Sequence, residues 1–250
     1  MKITRSAAIP LFMLIALVVS GQEQSHSVHW SYDGENGPSH WGDLSSDFST
    51  CKSGRVQSPI DITSSVAVDI APITFVYSPS QLKIIDNGHT VQVNYQSGSF
   101  MIIGGKRYEL KQLHFHHPSE EQINGKSYDL VAHFVHADNT GRLAVVAVLF
   151  TKGKSNPLIK TIFSYLPKSK GKEETADVTF NAADMLPDSH HYFTFPGSLT
   201  TPPCAEGVTW FVLETPTTLS SSELTLFTKV YPHNARPVQP LNDRKVLSVR

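Results

Sequence analysis

The sequence has little of what marks a membrane, nucleic-acid-binding or cysteine-rich protein. Its 250 residues include two cysteines and no cluster of basic residues. The long apolar run, Ala7 to Val19, is shorter than the roughly 18 residues that a membrane helix needs. With 21 basic and 22 acidic residues, the chain lacks the positive surface that nucleic-acid binding requires. No repeat or linker divides it, so we expect one large domain with its own core and no nucleic-acid partner.

The first 21 residues are predicted to be a secretory signal peptide. Lys2 and Arg5 precede the apolar run, and the small residues Ser20 and Gly21 follow it. The domain is then expected to span residues 22–250, with 19 basic and 22 acidic residues and a net charge of −3. This interpretation makes the protein periplasmic or secreted, with no membrane attachment once the signal is removed.

The two cysteines, Cys51 and Cys204, lie far apart in the chain. In an exported protein an even number of cysteines favours a disulfide, and two buried free thiols are the alternative. Closing a loop of this length would stabilise the fold by roughly 4–5 kcal/mol in the chain-entropy view, less any strain.

Short strand-like runs recur along the chain, with turn sequences such as Asn87-Gly88 between many of them. These runs are Ile73–Tyr77, Leu82–Asp86, Thr90–Tyr95, Phe100–Ile103, Tyr108–His116, Tyr128–His136, Ala144–Phe150 and Val208–Glu214. Helical patterns are short and cover Pro157–Tyr165 and Ser221–Val230. The predicted fold is therefore mainly β, with small peripheral helices.

The twelve histidines are numerous for this length, and three of them suggest a metal site. Side chains alternate faces along a strand, so His114 and His116 point to the same side while Phe115 points to the other. The next predicted strand can return antiparallel and bring His133 beside this pair. Three neutral nitrogen ligands with an open fourth position are typical of a catalytic zinc site.

Other interpretations of this pattern remain open on these residues alone. Structural histidine pairs, metal cupins and copper–zinc superoxide dismutases also place His-x-His on strands. A dismutase needs further copper and zinc ligands, including an aspartate, and a much shorter chain. His117 and His136 are out of phase with the three histidines and are predicted to be structural. Surface positions are expected for most of His26, His29, His40, His190 and His191.

Short motifs over nearly the whole chain resemble those of alpha-class carbonic anhydrases, and they occur in the family's order. They are Trp30-Ser31-Tyr32, Gly37-Pro38-Ser39-His40-Trp41, Gln57-Ser58-Pro59-Ile60-Asp61-Ile62, Asn87-Gly88-His89, the two histidine strands, Gly197-Ser198-Leu199-Thr200-Thr201-Pro202-Pro203-Cys204, Trp210 and Asn234-Ala235-Arg236-Pro237-Val238-Gln239-Pro240. The resemblance implies a large, twisted, mostly antiparallel central sheet. It also implies a zinc lyase that hydrates carbon dioxide reversibly to bicarbonate and a proton, by attack of zinc-bound hydroxide.

The resemblance further assigns roles to individual residues. It places zinc on His114, His116 and His133. Glu120 and Thr200 match the pair that orients the attacking hydroxide, and His89 matches the proton shuttle, for which an imidazole titrating near neutrality is suited. The matching substrate pocket comprises Val135, Val145, Leu199, Thr201, Val208 and Trp210. The matching water network comprises Tyr32, Asn87 and Gln92; Gln112, two residues before His114 on the same face, is expected to orient that imidazole. Cys51 and Cys204 match the cysteine pair of exported bacterial members.

One position departs from the family pattern. Relatives usually carry a glutamate two residues before the third zinc histidine, where its carboxylate accepts the free ring N–H. Here that position is Val131. Leaving a buried donor unpaired costs roughly 1–3 kcal/mol, so we favour a substitute acceptor or a water at His133. Our hypothesis is that zinc is still bound but is lost to chelators faster than in relatives with the glutamate. Val131→Glu is then expected to slow zinc release, provided that the new carboxylate fits the space.

A catalytically inactive family member acting as a binding or adhesion module is the alternative from another functional class. The presence of all three histidines together with Glu120 and Thr200 argues against it. Dimers occur among bacterial relatives, but the sequence carries no interface signature, so a homodimer is left open.

Overall fold

The computed structural model describes residues 28–249. The predicted signal peptide and His26 lie outside the described residues. Within them, no helix is both long enough and apolar enough to cross a membrane.

The described residues contain fifteen strands and four short α-helices. The strands are β1 Asp61–Ile62, β2 Val66–Ala67, β3 Thr74–Val76, β4 Ser80–Asp86, β5 Val91–Asn94, β6 Phe100–Ile103, β7 Lys106–His116, β8 Gln122–Ile123, β9 Leu130–Ala137, β10 Leu143–Lys152, β11 Glu173–Phe180, β12 Tyr192–Ser198, β13 Glu206–Leu213, β14 Thr217–Leu219 and β15 Leu247–Val249. The α-helices are α1 Trp41–Leu44, α2 Thr50–Ser53, α3 Pro157–Ser164 and α4 Ser221–Thr228, and 3-10 turns cover Gly34–Asn36, Ser46–Phe48 and Ala182–Met185.

Thirteen of these strands form one large sheet, in the order β11-β4-β5-β7-β9-β10-β13-β12-β15-β2. In addition, β14 pairs with β10, β6 pairs with β7, and β3 pairs with β6. In the described part of the sheet, β10–β13, β10–β14 and β15–β2 are parallel pairs and the others are antiparallel. A separate parallel pair joins β1 and β8. The prediction of a mainly β fold on a mostly antiparallel sheet is confirmed.

Every strand predicted from the sequence overlaps an observed strand, and both predicted helices are present. The strands that sequence analysis missed include β11 and β12. Strand β11 lies at the sheet edge and is rich in charged residues, and apart from the buried Phe180 its inward side chains are only half-buried. Strand β12 contains Pro196 and Gly197, which interrupt an otherwise aromatic β pattern.

Central strands β9 and β10 divide the core into two layers. Nearly all of their residues are buried, because both faces of the sheet are covered at its centre. Along β9, Ala132 and Phe134 face the larger apolar cluster, whereas Val131 and Val135 face a smaller one. His133 lies between these two valines, so the strand alternation places it on the face of the smaller cluster.

The larger cluster is closed by α3 and α4, whose ends are well capped. The Asn156 side chain accepts from the N–H groups of Leu158 and Ile159, and Pro157 occupies the first helical position. Ser220 and Glu223 form a capping box at the start of α4. The buried apolar residues of both helices belong to the larger cluster, so the helices cover the sheet face opposite to His133. The histidine face is left open for a cavity.

The predicted disulfide between Cys51 and Cys204 is confirmed. Cys51 lies in α2 and Cys204 in the loop after β12, and both pack against Trp41. The Gln57 amide donates to the Cys204 carbonyl at 3.0 Å, and the Arg236 guanidinium donates to the Cys51 carbonyl at 3.0 Å. The disulfide therefore joins the N-terminal segment to the loop that carries the predicted site threonines.

Candidate metal centre and cavity

The register of the sheet brings the three predicted ligands together. His114 of β7 lies directly opposite His133 of β9, and His116 follows two residues later on the same face. A β-bulge between Leu110 and Gln112 shifts the phase of β7, so that its later residues point toward the cavity in step with β9. One ring nitrogen of each histidine lies within 4.8 Å of the corresponding atoms of the other two.

The outer ring nitrogens of the two β7 histidines are already occupied. His114 Nδ1 is 2.9 Å from Gln112 Oε1, and His116 Nδ1 is 2.7 Å from the Asn234 carbonyl oxygen. Because amide and carbonyl oxygens only accept, both Nδ1 atoms carry the proton and both Nε2 atoms present a lone pair. His116 Nε2 is buried and has no hydrogen-bond partner among residues 28–249. An unpartnered buried lone pair of this kind is what a metal ligand requires.

The acceptor for His133 is Glu121, a residue that sequence analysis did not single out. His133 Nε2 is 3.1 Å from both Glu121 carboxylate oxygens, and Glu121 is fully buried. Val131 is also fully buried and packs in the smaller apolar cluster. Of the alternatives left open by Val131, the structure therefore contains a substitute acceptor. Faster zinc loss was expected because the His133 N–H would lack a good acceptor, and Glu121 removes that reason.

Burial and charge set the protonation of these side chains. Burial holds the pKa of His114 and His116 well below that of ordinary histidine, which keeps both imidazoles neutral. Burial also acts to lower the pKa of His133, but the charge and hydrogen bond of Glu121, aided by Glu120, raise it overall. His133 therefore retains a proton to higher pH than His114 and His116 do.

Glu120 and Thr200, the predicted orienting pair, are both buried beside the triad. Glu120 Oε1 accepts the Arg236 backbone N–H at 2.8 Å. Burial raises the pKa of Glu120 to about 7, against the lowering effects of His133, Arg236 and the Thr200 hydroxyl. Glu120 Oε2 makes no hydrogen bond of normal geometry within residues 28–249, so it is free for the Thr200 hydroxyl.

The histidines line a cavity of about 290 Å³ with two unlike sides. Cross-strand pairing explains the division: Gln112 on β7 lies opposite Val135 on β9, which pairs with Val145 on β10, which pairs with Trp210 on β13. The polar side comprises Tyr32, Asn87, Gln92 and Gln112, and the apolar side comprises Val135, Leu143, Val145, Leu199 and Trp210. Thr200 and Thr201 also line the cavity.

Most of the predicted pocket and water-network residues line this cavity, but Val208 does not. Val208 is buried in β13 and packs with Val145 and Trp210 in the smaller apolar cluster, behind the lining residues. Leu143 and Trp30 line the cavity although sequence analysis did not place them there. Leu143 opens β10, only two residues before Val145, so strand alternation was the signal that could have found it.

Trp210 is positioned by a close approach of β12 to β13. Its indole N–H donates to the Ser198 carbonyl at 3.0 Å. A Cβ on Gly197 would lie 2.1 Å from Ser58 Oγ and 2.6 Å from Trp210 Cδ1, so only glycine fits there. The motif glycine therefore allows the indole to reach the cavity wall.

His89, the predicted shuttle, lies at the cavity on the polar side. Its ring stacks on Trp30, with the ring centroids 3.6 Å apart and the planes 7° from parallel. Its backbone is held because Asn87 Oδ1 accepts the His89 N–H at 3.0 Å and the Asn234 amide donates to the His89 carbonyl at 3.1 Å. Burial, together with the neighbouring His29 and Lys170, lowers the pKa of His89 below 6.5.

The remaining described histidines lie away from the triad. His136 faces the opposite layer, where it contacts the Tyr77 hydroxyl at 2.8 Å and the Phe134 carbonyl at 2.9 Å. His117 donates from Nδ1 to the Asp129 carbonyl at 2.7 Å. Both therefore have structural contacts, as predicted. His29, His40 and His191 are exposed, and His190 is half-buried against Phe75.

Comparison with known proteins agrees with this geometry. Residues 36–250 match the family described as eukaryotic-type carbonic anhydrase. A carbonic anhydrase from Nostoc sp. is 42% identical over 235 residues, which cover 92% of this chain and 89% of the relative.

Two solved structures place the fold among its neighbours. The alpha carbonic anhydrase of Thermovibrio ammonificans in complex with the inhibitor sulfanilamide has a TM-score of 0.86 and 43% identity, covering 88% of this chain and 99% of that one. Dioscorin complexed with ascorbate has a TM-score of 0.83 and 30% identity, covering 88% of this chain and 97% of that one.

Proposed function

Since the chain belongs to the eukaryotic-type, or alpha, carbonic anhydrase family, we propose that it hydrates carbon dioxide reversibly at a zinc ion held by His114, His116 and His133. The observation that carries the proposal is the triad itself. Three imidazole nitrogens converge at the floor of the cavity, and His116 Nε2 is buried there without a partner among the described residues. This donor set fits zinc, which takes neutral imidazoles and leaves a fourth position for water.

When bound, zinc supplies a nucleophile at neutral pH by lowering the pKa of a coordinated water to about 7, the value known for carbonic anhydrases themselves. The chain's own contribution is to hold the imidazoles neutral and oriented. Gln112, Asn234 and Glu121 each occupy the outer nitrogen of one histidine. No ring can therefore rotate its free lone pair away from the metal position without losing a hydrogen bond.

Thr200 and Glu120 orient the attacking oxygen. As a carboxylate, Glu120 accepts a hydrogen bond from the Thr200 hydroxyl at its free Oε2, while its Oε1 accepts one from the Arg236 N–H. The Thr200 oxygen is then left only with lone pairs facing the cavity, so it accepts a hydrogen bond from an incoming O–H. This aligns the oxygen lone pair toward the substrate, an orientation effect on the rate.

The apolar side of the cavity suits carbon dioxide, which carries no charge and has no strong hydrogen-bonding group. Val135, Val145, Leu199 and Trp210 line this side next to His133, and the Trp210 ring lies 4.9 Å from the His133 ring. The product bicarbonate is charged, so this wall binds it poorly and favours its release.

His89 carries the proton out. It lies at the cavity across the polar side from the triad, and its lowered pKa favours release of the proton to solvent. In weak buffer, His89→Ala is expected to reduce turnover by about 100-fold, and added imidazole to restore part of it, because an external carrier replaces the internal one. Stopped-flow hydration at several buffer concentrations measures this. His191→Ala, at an exposed histidine, is the control, and a His89 variant without buffer dependence excludes the shuttle role.

We also propose export, with residues 1–21 removed and residues 22–250 forming the working domain. The Cys51–Cys204 disulfide supports it, because disulfides persist in oxidising compartments. Mass spectrometry of the protein recovered from its native host gives the N-terminal residue. An N-terminus at Met1 would contradict the proposal.

A binding protein on the same scaffold is the competing function. Dioscorin complexed with ascorbate shows that a protein with this fold can hold a different small molecule. Zinc content and stopped-flow carbon dioxide hydration of the chain separate the two. We expect one zinc per chain and hydration that sulfanilamide inhibits; a folded chain without zinc or hydration would favour the binding protein.

A further inference from the structure

The three histidines are held by acceptors of unequal strength. The partner of His114 is the neutral amide oxygen of Gln112, and that of His116 is a neutral backbone carbonyl. His116 Nδ1 also lies 3.5 Å from Glu120 Oε1, but its hydrogen bond goes to the Asn234 carbonyl. Of the three, only His133 is hydrogen-bonded to a carboxylate through its outer nitrogen. A carboxylate acceptor increases the basicity of the imidazole and strengthens its bond to a metal more than a neutral acceptor does.

We infer that Glu121 is the positioning residue of the metal centre: its carboxylate, delivered from the loop before β8, replaces the acceptor that β9 lacks at Val131. The inference rests on the proposed zinc function. Both Glu121 oxygens lie 3.1 Å from His133 Nε2, and both side chains are buried, so solvent does not compete for the contact. With Nε2 occupied, the lone pair left for a metal is that of Nδ1.

The neighbouring Glu120 does not serve this purpose. Its nearer oxygen is 3.9 Å from His133 Nδ1, beyond hydrogen-bond distance, and its other oxygen is held by the Arg236 N–H. The two adjacent glutamates therefore act on different partners. Glu120 is directed to the Thr200 side of the site, and Glu121 to the outer nitrogen of His133.

The backbone around Glu121 is fixed, which lets a loop residue substitute for a strand residue. The Ser119 hydroxyl donates to the Glu121 carbonyl at 2.7 Å, and the Gln122 N–H donates to the Ile60 carbonyl at 3.2 Å. The pairing of β8 with β1 begins at the next residue. Val131, two residues before His133 on the same face of β9, packs in apolar surroundings, so this position of the strand is used for core packing.

The test is zinc release from the zinc-loaded chain to an excess of chelator. Glu121→Gln keeps the shape but removes the charge, and we expect about 10-fold faster release; Glu121→Ala removes the acceptor, and we expect about 100-fold. The double variant Glu121→Ala/Val131→Glu returns a carboxylate to the strand, and its release is expected to move back toward wild type. Val131→Glu alone, with Glu121 still in place, is not expected to slow release.

A control variant distinguishes an effect on the orientation of His133 from a general effect on the stability of the fold. Glu223 is also a buried glutamate, but it caps α4 and accepts from the Ser220 and Asn156 N–H groups. Glu223→Gln should lower thermal stability and leave zinc release unchanged. In NMR spectra of the zinc-loaded chain, the His133 Nε2–H resonance should shift in both Glu121 variants and stay in place in Glu223→Gln.

Two results would overturn the inference: zinc release at the wild-type rate in both Glu121 variants, or an unchanged His133 N–H resonance. If Glu121→Ala does not fold, zinc release and the His133 N–H resonance are compared between wild type and the nearly isosteric Glu121→Gln. Failure of the proposed function is a different outcome, because then the unmodified chain itself would not bind zinc or hydrate carbon dioxide.

Discussion

Strands β7 and β9 each carry two histidines and lie side by side, yet they hold them differently. On β7, His114 and His116 are two residues apart, share one face, and one of them takes its acceptor from the same strand. On β9, His133 and His136 are three residues apart and point to opposite layers. Strand β9 supplies no acceptor for His133, which is served by a loop. A metal ligand and its supporting acceptor therefore need not come from the same strand.

The largest expected effect comes from removing a ligand from β7. His116→Ala leaves two imidazoles, and we expect loss of tight zinc binding and of carbon dioxide hydration together. Metal analysis after gel filtration and stopped-flow hydration measure both. His136→Gln, on β9 but facing the other layer, is the matched control and should keep one zinc per chain. Hydration by His116→Ala at stoichiometric zinc would refute the three-histidine site.

The second expected effect is on stability and distinguishes the two histidines of β9. Burial lowers the pKa of His136 to about 4 from 6.5, against the hydrogen bonds to Phe134 and Ala144. Between pH 6.5 and pH 4, His136 binds a proton in the unfolded chain but not in the native one. The free energy of unfolding therefore decreases as the pH falls through this window. The full window corresponds to about 3 kcal/mol.

Urea unfolding of wild type and His136→Gln from pH 7 to pH 4 measures this difference. Wild type should lose about 3 kcal/mol more than the variant over the range. Because both proteins carry the same three histidines of the proposed zinc site, pH effects on that site cancel in the comparison. Parallel pH profiles would show that His136 does not remain neutral in the fold.

The smallest expected effect concerns the neutral acceptor on β7. Gln112→Ala removes the partner of His114 Nδ1, and we expect zinc release to accelerate by about 10-fold, at the low end for supporting contacts. Gln96→Ala, at an exposed position, is the control for the same substitution. If Gln112→Ala releases zinc faster than Glu121→Ala, the charged acceptor is not the stronger support.

Local pattern determined much of what the sequence could predict. The strand period of two places His114 and His116 on one face whatever surrounds them, and Gln112 follows from the same rule. Short runs rich in β-branched and aromatic residues predicted the strands that were found, and short helical patterns predicted α3 and α4. The assignments of His89, Thr200 and the apolar pocket came from family resemblance, since no local rule separates these residues from ordinary turn and core residues.

Only the tertiary structure decided which distant groups complete the site. Asn234 supplies its carbonyl to His116 across 118 residues, and Glu121 reaches His133 across 12. A carbonyl or a carboxylate can accept from any donor within reach, so sequence alone does not identify its partner. The β-bulge that aligns β7 with β9 and the stacking of Trp30 on His89 likewise depend on how the sheet and its N-terminal cover pack together. The sequence by itself determined which side chains could bind a metal, while the packing of the whole chain determined what holds them in place.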